Sequence, residues 1–466
     1  MKRTILFSVV LSAVIFAANG TTITATPGSL ESELKGISLT DDELKIKGEI
    51  DVRDLRALAE VKVTTLDMSG AKIVAYSDLN RDSHGQSYYR ENLIPQYTFF
   101  KAPYTSVTLP SGTVEIGAGA FADSDLKSVT LPSGLRTIGE HAFYGCSSLT
   151  SATLPSSVSS IGVYAFANDT ALKEADLSRA SLTALPANLF AGCSSLSTVT
   201  LPLSLRSIGS HCFDGTAIKT LNVDGVTNFA DYALAGMSRL VEINFAPGVT
   251  FGNGVLMDDT NLQTIVNAPH NLPALFAANC SSFDSNTLMS ETTSAGDFSL
   301  ANTMAIELIL SPGLTSVGAG ALRNVETLER IDARALGDNV PEADETAFVG
   351  IDTPSVMLHV ADNTENVWKE HPVWGRFNIY TGAYTGNDVI ENVMADNRIV
   401  YENGILKIDS PLAIERVEVY SLAGALLLNV SPMAENFETT LSTDENMLVV
   451  RVKTSAGLYT YKLLIN

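Results

Sequence analysis

Large rings are scarce in this chain. Aromatic residues make up 7% of 466 positions, and there are only two tryptophans. A core must therefore come from Leu, Val, Ile and Ala, within an apolar share of 45%. Basic charge is short too, with 30 Lys and Arg against 52 Asp and Glu and a formal net charge of −22. DNA or RNA is repelled by that balance, and no basic stripe overrides it, so nucleic acid is not an expected partner. Past the N-terminus, no run approaches the ~18 apolar residues that a membrane-spanning helix requires. Catalytic signatures are missing as well: there is no G-x-S-x-G elbow, no P-loop and no H-E-x-x-H. Acidic residues are dispersed, with no two singled out as a pair. The expectation is a protein that is not an enzyme and that uses no cofactor and no metal.

The N-terminus reads MKRTILFSVVLSAVIFAANGTT. Lys2 and Arg3 precede an apolar stretch from Ile5 to Phe16, followed by small Ala17, Ala18 and Gly20. This pattern predicts a signal peptide over 1–20, cut near Gly20/Thr21. With no Cys near the cut, a lipoprotein route is not expected. The protein is predicted to be secreted or held at the cell surface.

At 466 residues the chain is too long for one ordinary core. What fills it is repetition. Units aligned on L-x-x-V-x-L-P begin at Tyr104, Leu126, Leu149, Leu172, Leu196, Ile218, Leu240, Leu262, Phe283, Ala305 and Leu328, at steps of 21 to 24 residues. A register this constant predicts a solenoid. In one unit, Leu126, Val129 and Leu131 point inward from a short strand, and Pro132-Ser133-Gly134 turns the chain. Leu135 and Ile138 supply a second apolar pair, Gly139 permits a bend, and Ala142 and Phe143 plug the far side. No unit can bury these residues alone, so stacking completes the core, with coils ~4.8 Å apart. A phenylalanine column is expected at Phe99, Phe121, Phe143, Phe166, Phe190, Phe213 and Phe276, with Leu234 and Leu256 in the middle units.

The period suits leucine-rich repeats, although the wording lacks the asparagine ladder of the common type. "VTLPSGLRTIGEHAFYGCSS" resembles the BspA-like class of bacterial leucine-rich repeats, whose phrase runs L-x-x-I-x-L-P-x-x-V-x-x-I-G-x-x-A-F-x-x-C. The resemblance covers about residues 61–360. It implies an exported surface protein, of a kind implicated in adhesion to host or microbial partners.

Residues 21–103 read as an N-terminal cap. "ELKIKGEIDVRDLRALAE" (43–60) is a strand and short helix, "TTLDMSGAKI" (64–73) a degenerate first coil, and 74–93 a polar insertion. The solenoid proper is placed at 104–354. Residues 355–380 form a closing cap in which Trp368, Trp374 and Phe377 cover the last coil. "TGAYTGND" (381–388) is a linker. Beyond it, "GILKI", "IERVEVYSL", "ALLLNV", "NMLVVRVKT" and "LYTYKLLI" predict a small antiparallel, Ig-like β-sandwich over 389–466. Through "VYSLAG" and "GLYTYKLLI" this segment resembles the C-terminal sorting domain of type IX secretion substrates. That likeness implies passage across, or attachment to, the outer membrane.

His141 and His211 share one repeat slot three coils apart, hence roughly 15 Å at ~4.8 Å per coil, too far to share a zinc ion. Cys146 and Cys193 share a turn slot two coils apart, about 10 Å, whereas disulfides require Cα atoms within ~7 Å. Cys193 and Cys212 stand in adjacent coils, so that pair stays open beside free buried thiols. Asp169-Thr170-Ala171 resembles a bacterial O-glycosylation sequence but also reads as a plain turn.

Repetition does provide a sheet face. One outward ladder runs Ser106, Ser128, Ser151, Glu174, Thr198, Thr220, Glu242, Thr264, Ser285, Glu307 and Arg330. Its neighbour runs Thr108, Thr130, Thr153, Asp176, Thr200, Asn222, Asn244, Val266, Thr287, Ile309 and Asp332. Threonine is a good strand former, so a plain solvated face explains many of these positions. The functional expectation is a docking surface for an extracellular protein or cell-surface ligand. Its candidate residues are Lys127, Ser128, Thr130, Glu174, Asp176, Thr198, Thr200, Thr220, Asn222, Glu242 and Asn244. The alternatives are a structural envelope spacer without a ligand or, less favoured without aromatic platforms on the ladders, a glycan binder in which Tyr88 and Tyr89 contribute.

Overall fold

A computed structural model describes residues 14–17, 20–37, 39, 42–77, 87–382, 398–402, 404–421, 426–441, 447–454 and 457–464. By its contacts the chain divides into two units, 1–381 and 382–466.

In the first unit each repeat forms one coil. All eleven unit-opening residues, from Tyr104 to Leu328, are at most 5% exposed. In most units three residues of the opening phrase extend into a strand that pairs in parallel with a neighbour. Ser128–Thr130 lies against Ser106–Thr108, and Glu174–Asp176 lies between Ser151–Thr153 and Thr198–Thr200. A second parallel ladder follows the proline turn, where Thr137–Ile138 pairs with Glu115–Ile116 and Ser160–Ile161. The far side is laced as well: the Phe121 N–H donates to the Ala142 carbonyl at 2.8 Å, and the Phe143 N–H to that of Ala165 at 2.8 Å. Backbone groups that a lone coil would leave bare are thus satisfied by the next one.

Glycine after the second strand is required for a reason other than bending. A Cβ on Gly139 would lie 2.6 Å from the Ala118 backbone nitrogen, and one on Gly162 2.3 Å from that of Glu140. Successive coils touch there through bare backbone.

Two columns fill the far side. Phe99, Phe121, Phe143, Phe166, Phe190 and Phe213 stack with centroids 5.1 to 5.9 Å apart. Phe276 departs from the expected column. The Ala277 N–H donates to Ser299, as Phe143 does to Ala165, so Ala277 holds the phenylalanine slot and Phe276 the alanine slot. The swap is accommodated because the middle coils bring Phe229, Phe245 and Phe251 into the interior, where Phe251 meets Phe276 edge-on at 5.5 Å. The second column stands three residues later. It comprises Ser124, Cys146, Asp169, Cys193, Thr216, Met237, Asp259, Cys280 and Thr303, all at most 5% exposed.

Two coils form no strand in the opening phrase: the one opening at Ile218 keeps only a bridge between Thr220 and Glu242, and the one opening at Phe283 turns helical. Asn286 stands where Val129 points inward in its own unit, and a polar amide is costly there. The chain instead makes a helical turn, Asn286–Met289, that buries Leu288 and Met289. Ser285 is fully buried and Thr287 lies in the helix, so neither joins the outward ladder. The freed Asn286 Oδ1 accepts the Ile309 N–H at 2.7 Å.

At the N-terminal end, strand Glu43–Ile50 and helix Val52–Ala59 form as expected, and Thr65–Ile73 joins the sheet to Ser106–Thr108. Val14–Ala17 pairs antiparallel with Gly20–Ala25. The rest of the expected signal peptide, 1–13 with 18 and 19, lies outside the described residues. In the insertion, Tyr76–Ser77 pairs with Tyr88–Tyr89, while 78–86 lie outside them. At the other end, Trp368 and Trp374 are fully buried and donate through Nε1 to Gly337 at 3.0 Å and Pro341 at 2.8 Å. Phe377 packs on Phe348 at 5.0 Å.

The second unit is an antiparallel sheet with its own cluster of Leu406, Ile408, Ile414, Val417, Val419, Leu448, Val450 and Val452. Its axis is one long strand, Ile405–Ser421, which merges "GILKI" and "IERVEVYSL" across a register shift that spans Pro411. The early half pairs with Arg398–Glu402 and Ala434–Thr440, and the later half with Leu426–Val430 and Met447–Thr454. The antiparallel sheet of the sequence reading is present. The expected linker, apart from residues 381 and 382, and the start of the sandwich segment up to 397 lie outside the described residues.

Candidate functional site

Alternation along each three-residue strand sends the middle side chain into the core and its neighbours outward. Ala152 and Ala175 are buried, while Ser151, Thr153 and Glu174 are exposed. Lys127, Ser128, Thr130, Glu174, Thr198, Thr200, Thr220, Asn222, Glu242 and Asn244 are all exposed, and Asp176 is half-buried. Registered pairing runs Glu174 to Thr198 and Asp176 to Thr200, then Thr220 to Glu242 and Asn244 to Val266. The candidate residues thus point outward in separately registered groups: Ser128 and Thr130 on the strand beside Ser106–Thr108, Glu174 to Thr200 on a second sheet, and Thr220 to Asn244 on a third set of pairings.

Not every ladder group is available for a ligand. Asp176 Oδ1 accepts the Ser178 N–H at 2.9 Å, and Asn222 Oδ1 accepts the Asp224 N–H at 2.8 Å. In coils reading T-L-P, such as Thr200-Leu201-Pro202, proline stands at that position and has no N–H to satisfy. In the coils of Asp176 and Asn222, where proline is missing, the side chain two residues earlier closes the turn instead. Ser178, by its hydroxyl and then its N–H, holds the Asp176 carboxyl below the usual carboxylate range. Asn244 accepts from Asn267 Nδ2 at 3.2 Å, and Ser128 donates to Ser106 at 3.3 Å. Further along, Arg330 pairs with Glu307, and Arg334 with Asp332 at 2.6 Å.

The four cysteines are free and buried. The open alternative, a Cys193–Cys212 bond, is not formed. Cys146 Sγ donates to the Phe121 carbonyl at 3.1 Å, Cys193 Sγ to Phe166 at 2.9 Å and Cys280 Sγ to Leu256 at 3.0 Å. Burial pushes the thiols of all four far above their ordinary range, which makes them poor nucleophiles. His141 stacks on Tyr164 at 4.9 Å and His211 on Tyr232 at 5.1 Å. No group of three His, Cys, Asp or Glu among the described residues is placed to hold a metal ion. His84 lies outside them. In Asp169-Thr170-Ala171 the carboxyl is fully buried, which favours the plain turn.

Sequence reasoning missed two surface features. The slot of His141 and His211 has left-handed backbone, and Tyr97, Tyr164, Tyr232 and Phe298 occupy it in other coils. Their recurrence two residues before the phenylalanine slot was the available signal. An asparagine ladder also exists, two residues after the phenylalanine slot: Asn302 Nδ2 donates to Asn279 Oδ1 at 2.5 Å, and Asn324 Nδ2 to Asn302 Oδ1 at 2.8 Å.

A profile of the BspA type leucine rich repeat region matches residues 92–184, 178–275 and 274–360, which together span more than half of the chain. The chain belongs to the BspA-type leucine-rich repeat family. Among solved structures of similar architecture is a leucine-rich repeat protein from Bacteroides ovatus, 16% identical with a TM-score of 0.47, the match covering 81% of this chain and 100% of that one. A leucine rich cell surface protein from Faecalibacterium prausnitzii is 20% identical with a TM-score of 0.38, over 79% and 97% of the two chains. The pneumococcal vaccine antigen PcpA is 16% identical with a TM-score of 0.39, over 80% and 96%. No curated protein sequence matches the chain. The BspA-type assignment rests on the repeat profile and accounts for residues 92–360. Among the described residues no helix is long and apolar enough to cross a membrane.

Proposed function

We propose that this BspA-type protein is exported to the cell surface, where its solenoid sheet face binds a protein ligand without catalysis, as an adhesin would. The observation that carries this reading is the division of labour within each strand. Buried letters repeat from coil to coil, whereas outward letters at the same repeat slot change from Ser128 to Glu174 to Thr220 to Glu242. A broad, polar, rigid face of varied side chains suits recognition of another protein. A glycan is less favoured in its place: the rings of His141 and His211 stack on Tyr164 and Tyr232, so those flat faces are spent on neighbouring coils.

Export rests on the pattern of residues 1–20, whose removal would leave Thr21–Ala25 as the first strand. The unit over 382–466, with a cluster of its own, is assigned the role of a sorting or attachment domain of the type IX kind, after the likeness of its sequence. Mass spectrometry of the protein isolated from cell envelopes tests both assignments. A first residue near Thr21 and surface retention support them; an intact Met1 or a periplasmic location overturns them. Binding is tested by biolayer interferometry of the exported chain against immobilised extracellular-matrix proteins and partner-cell surfaces. Saturable binding supports the adhesin reading, and uniform failure favours a structural spacer.

A further inference from the structure

The buried turn column holds two residues that do not belong there as ions. Where this slot carries cysteine, the thiol donates to a carbonyl of the preceding coil: Cys146 to Phe121, Cys193 to Phe166 and Cys280 to Leu256. Asp169 and Asp259 occupy the same slot and are fully buried. A carboxylate has no proton to donate, so it would turn a negative oxygen toward a carbonyl that elsewhere receives a hydrogen bond.

The surroundings offer no relief. The Cys146 backbone N–H is the one donor that faces the Asp169 carboxyl, and neither oxygen makes a hydrogen bond of ordinary geometry. The Met237 N–H donates to Asp259 Oδ1 at 2.7 Å, yet Oδ2 has no partner. The groups acting on Asp169 are the Cys146 and Cys193 thiols of the flanking coils and the Cys146 backbone, with Asp123 acting in turn on Cys146. Those acting on Asp259 are Cys280, Asp258, Asp214 and the Met237 backbone. No basic side chain is among them. An unpaired buried carboxylate is far costlier than its protonated form.

We propose that Asp169 and Asp259 are neutral carboxylic acids in the folded chain, that each donates its O–H to the carbonyl where cysteine donates in other coils (Phe143 and Leu234), and that losing that proton loosens these two turns. The neutral acid fits the slot on both counts: its hydroxyl replaces the thiol, and its carbonyl oxygen accepts the Met237 N–H at Asp259. Burial drives both carboxyls well above the ordinary carboxylate range, in agreement with the geometry. Because the folded state holds these protons more tightly than the unfolded state, their contribution to stability is complete below the ordinary value of about 3.9 and declines as pH rises toward the folded value. The turns become pH-sensitive latches in a solenoid that is otherwise uniform.

The test is urea unfolding of the full chain from pH 5 to pH 8, comparing wild type with Asp169→Cys/Asp259→Cys, which installs the side chain of the other coils. The unfolding constant of wild type relative to the variant should climb with pH, by up to about tenfold per pH unit for each titrating carboxyl. A ratio that stays flat overturns the proposal. Should the cysteine variant not fold, Asp169→Asn and Asp259→Asn keep the shape without the titration and serve in the same comparison. Infrared spectroscopy gives an independent readout at neutral pH. Wild type should retain a protonated-carboxyl C=O band that each asparagine variant diminishes; absence of that band in wild type contradicts the latch.

Discussion

Ser128 and Cys146 lie in one coil and answer to opposite constraints. Ser128 stands on the outward face, exposed, its hydroxyl donating to Ser106 of the neighbouring strand. Cys146 is fully buried and hydrogen-bonded to the coil before it. Along the chain, the Ser128 slot accepts Ser, Glu, Thr and Arg, whereas the Cys146 slot accepts small or neutral groups that fit a closed space. On the proposal above, the turn column converts even an acid, at Asp169 and Asp259, to that rule. A solenoid thus separates fold from surface within a single 22-residue phrase, and different substitutions in that phrase should have very different consequences.

The sharpest break should come from the stacked column. Phe143→Ala removes a fully buried ring that touches both Phe121 and Phe166, at a cost of about 3–5 kcal/mol; chemical denaturation measures it. Gly162→Ala comes next. Its Cβ would meet the Glu140 nitrogen at 2.3 Å, backbone against backbone, so the coils must shift, costing about 1–3 kcal/mol. At the small end, Thr198→Ala on the exposed face should change stability by no more than about 0.5 kcal/mol in the same assay. If Thr198→Ala cost as much as Phe143→Ala, the separation of face from core would fail.

Much of this division was legible in the letters. The register fixed by Leu126, Val129 and Phe143 located the strands, the inward positions and the outward ladders, because stacking forces like residues onto like positions. Trp368 and Trp374 identified the closing cap through their bulk. What escaped notice depended on three-dimensional substitution rather than on period. Phe276 and Ala277 exchange slots because neighbouring rings reshape the interior, and the apolar pattern is the same in either order. The helical turn at Asn286–Met289 follows from one polar residue at an inward position, a local conflict that a search for repetition passes over. On the face, Asp176 and Asn222 read as ligand-facing groups, yet the absence of a nearby proline commits them to closing turns. Strand Ala434–Thr440 was missed because its residues are mostly exposed and carry little apolar alternation.

The account's central claim is that the outward letters carry recognition while the buried letters carry the fold. The most direct measurement is matrix-protein binding by a combined face variant, Lys127→Ala/Glu174→Ala/Thr198→Ala/Thr220→Ala/Glu242→Ala, beside its thermal unfolding midpoint. These five side chains are exposed and close no turn of the solenoid. The account predicts a midpoint close to that of wild type and binding reduced at least tenfold. Undiminished binding at an unchanged midpoint would contradict it and move recognition off the sheet face.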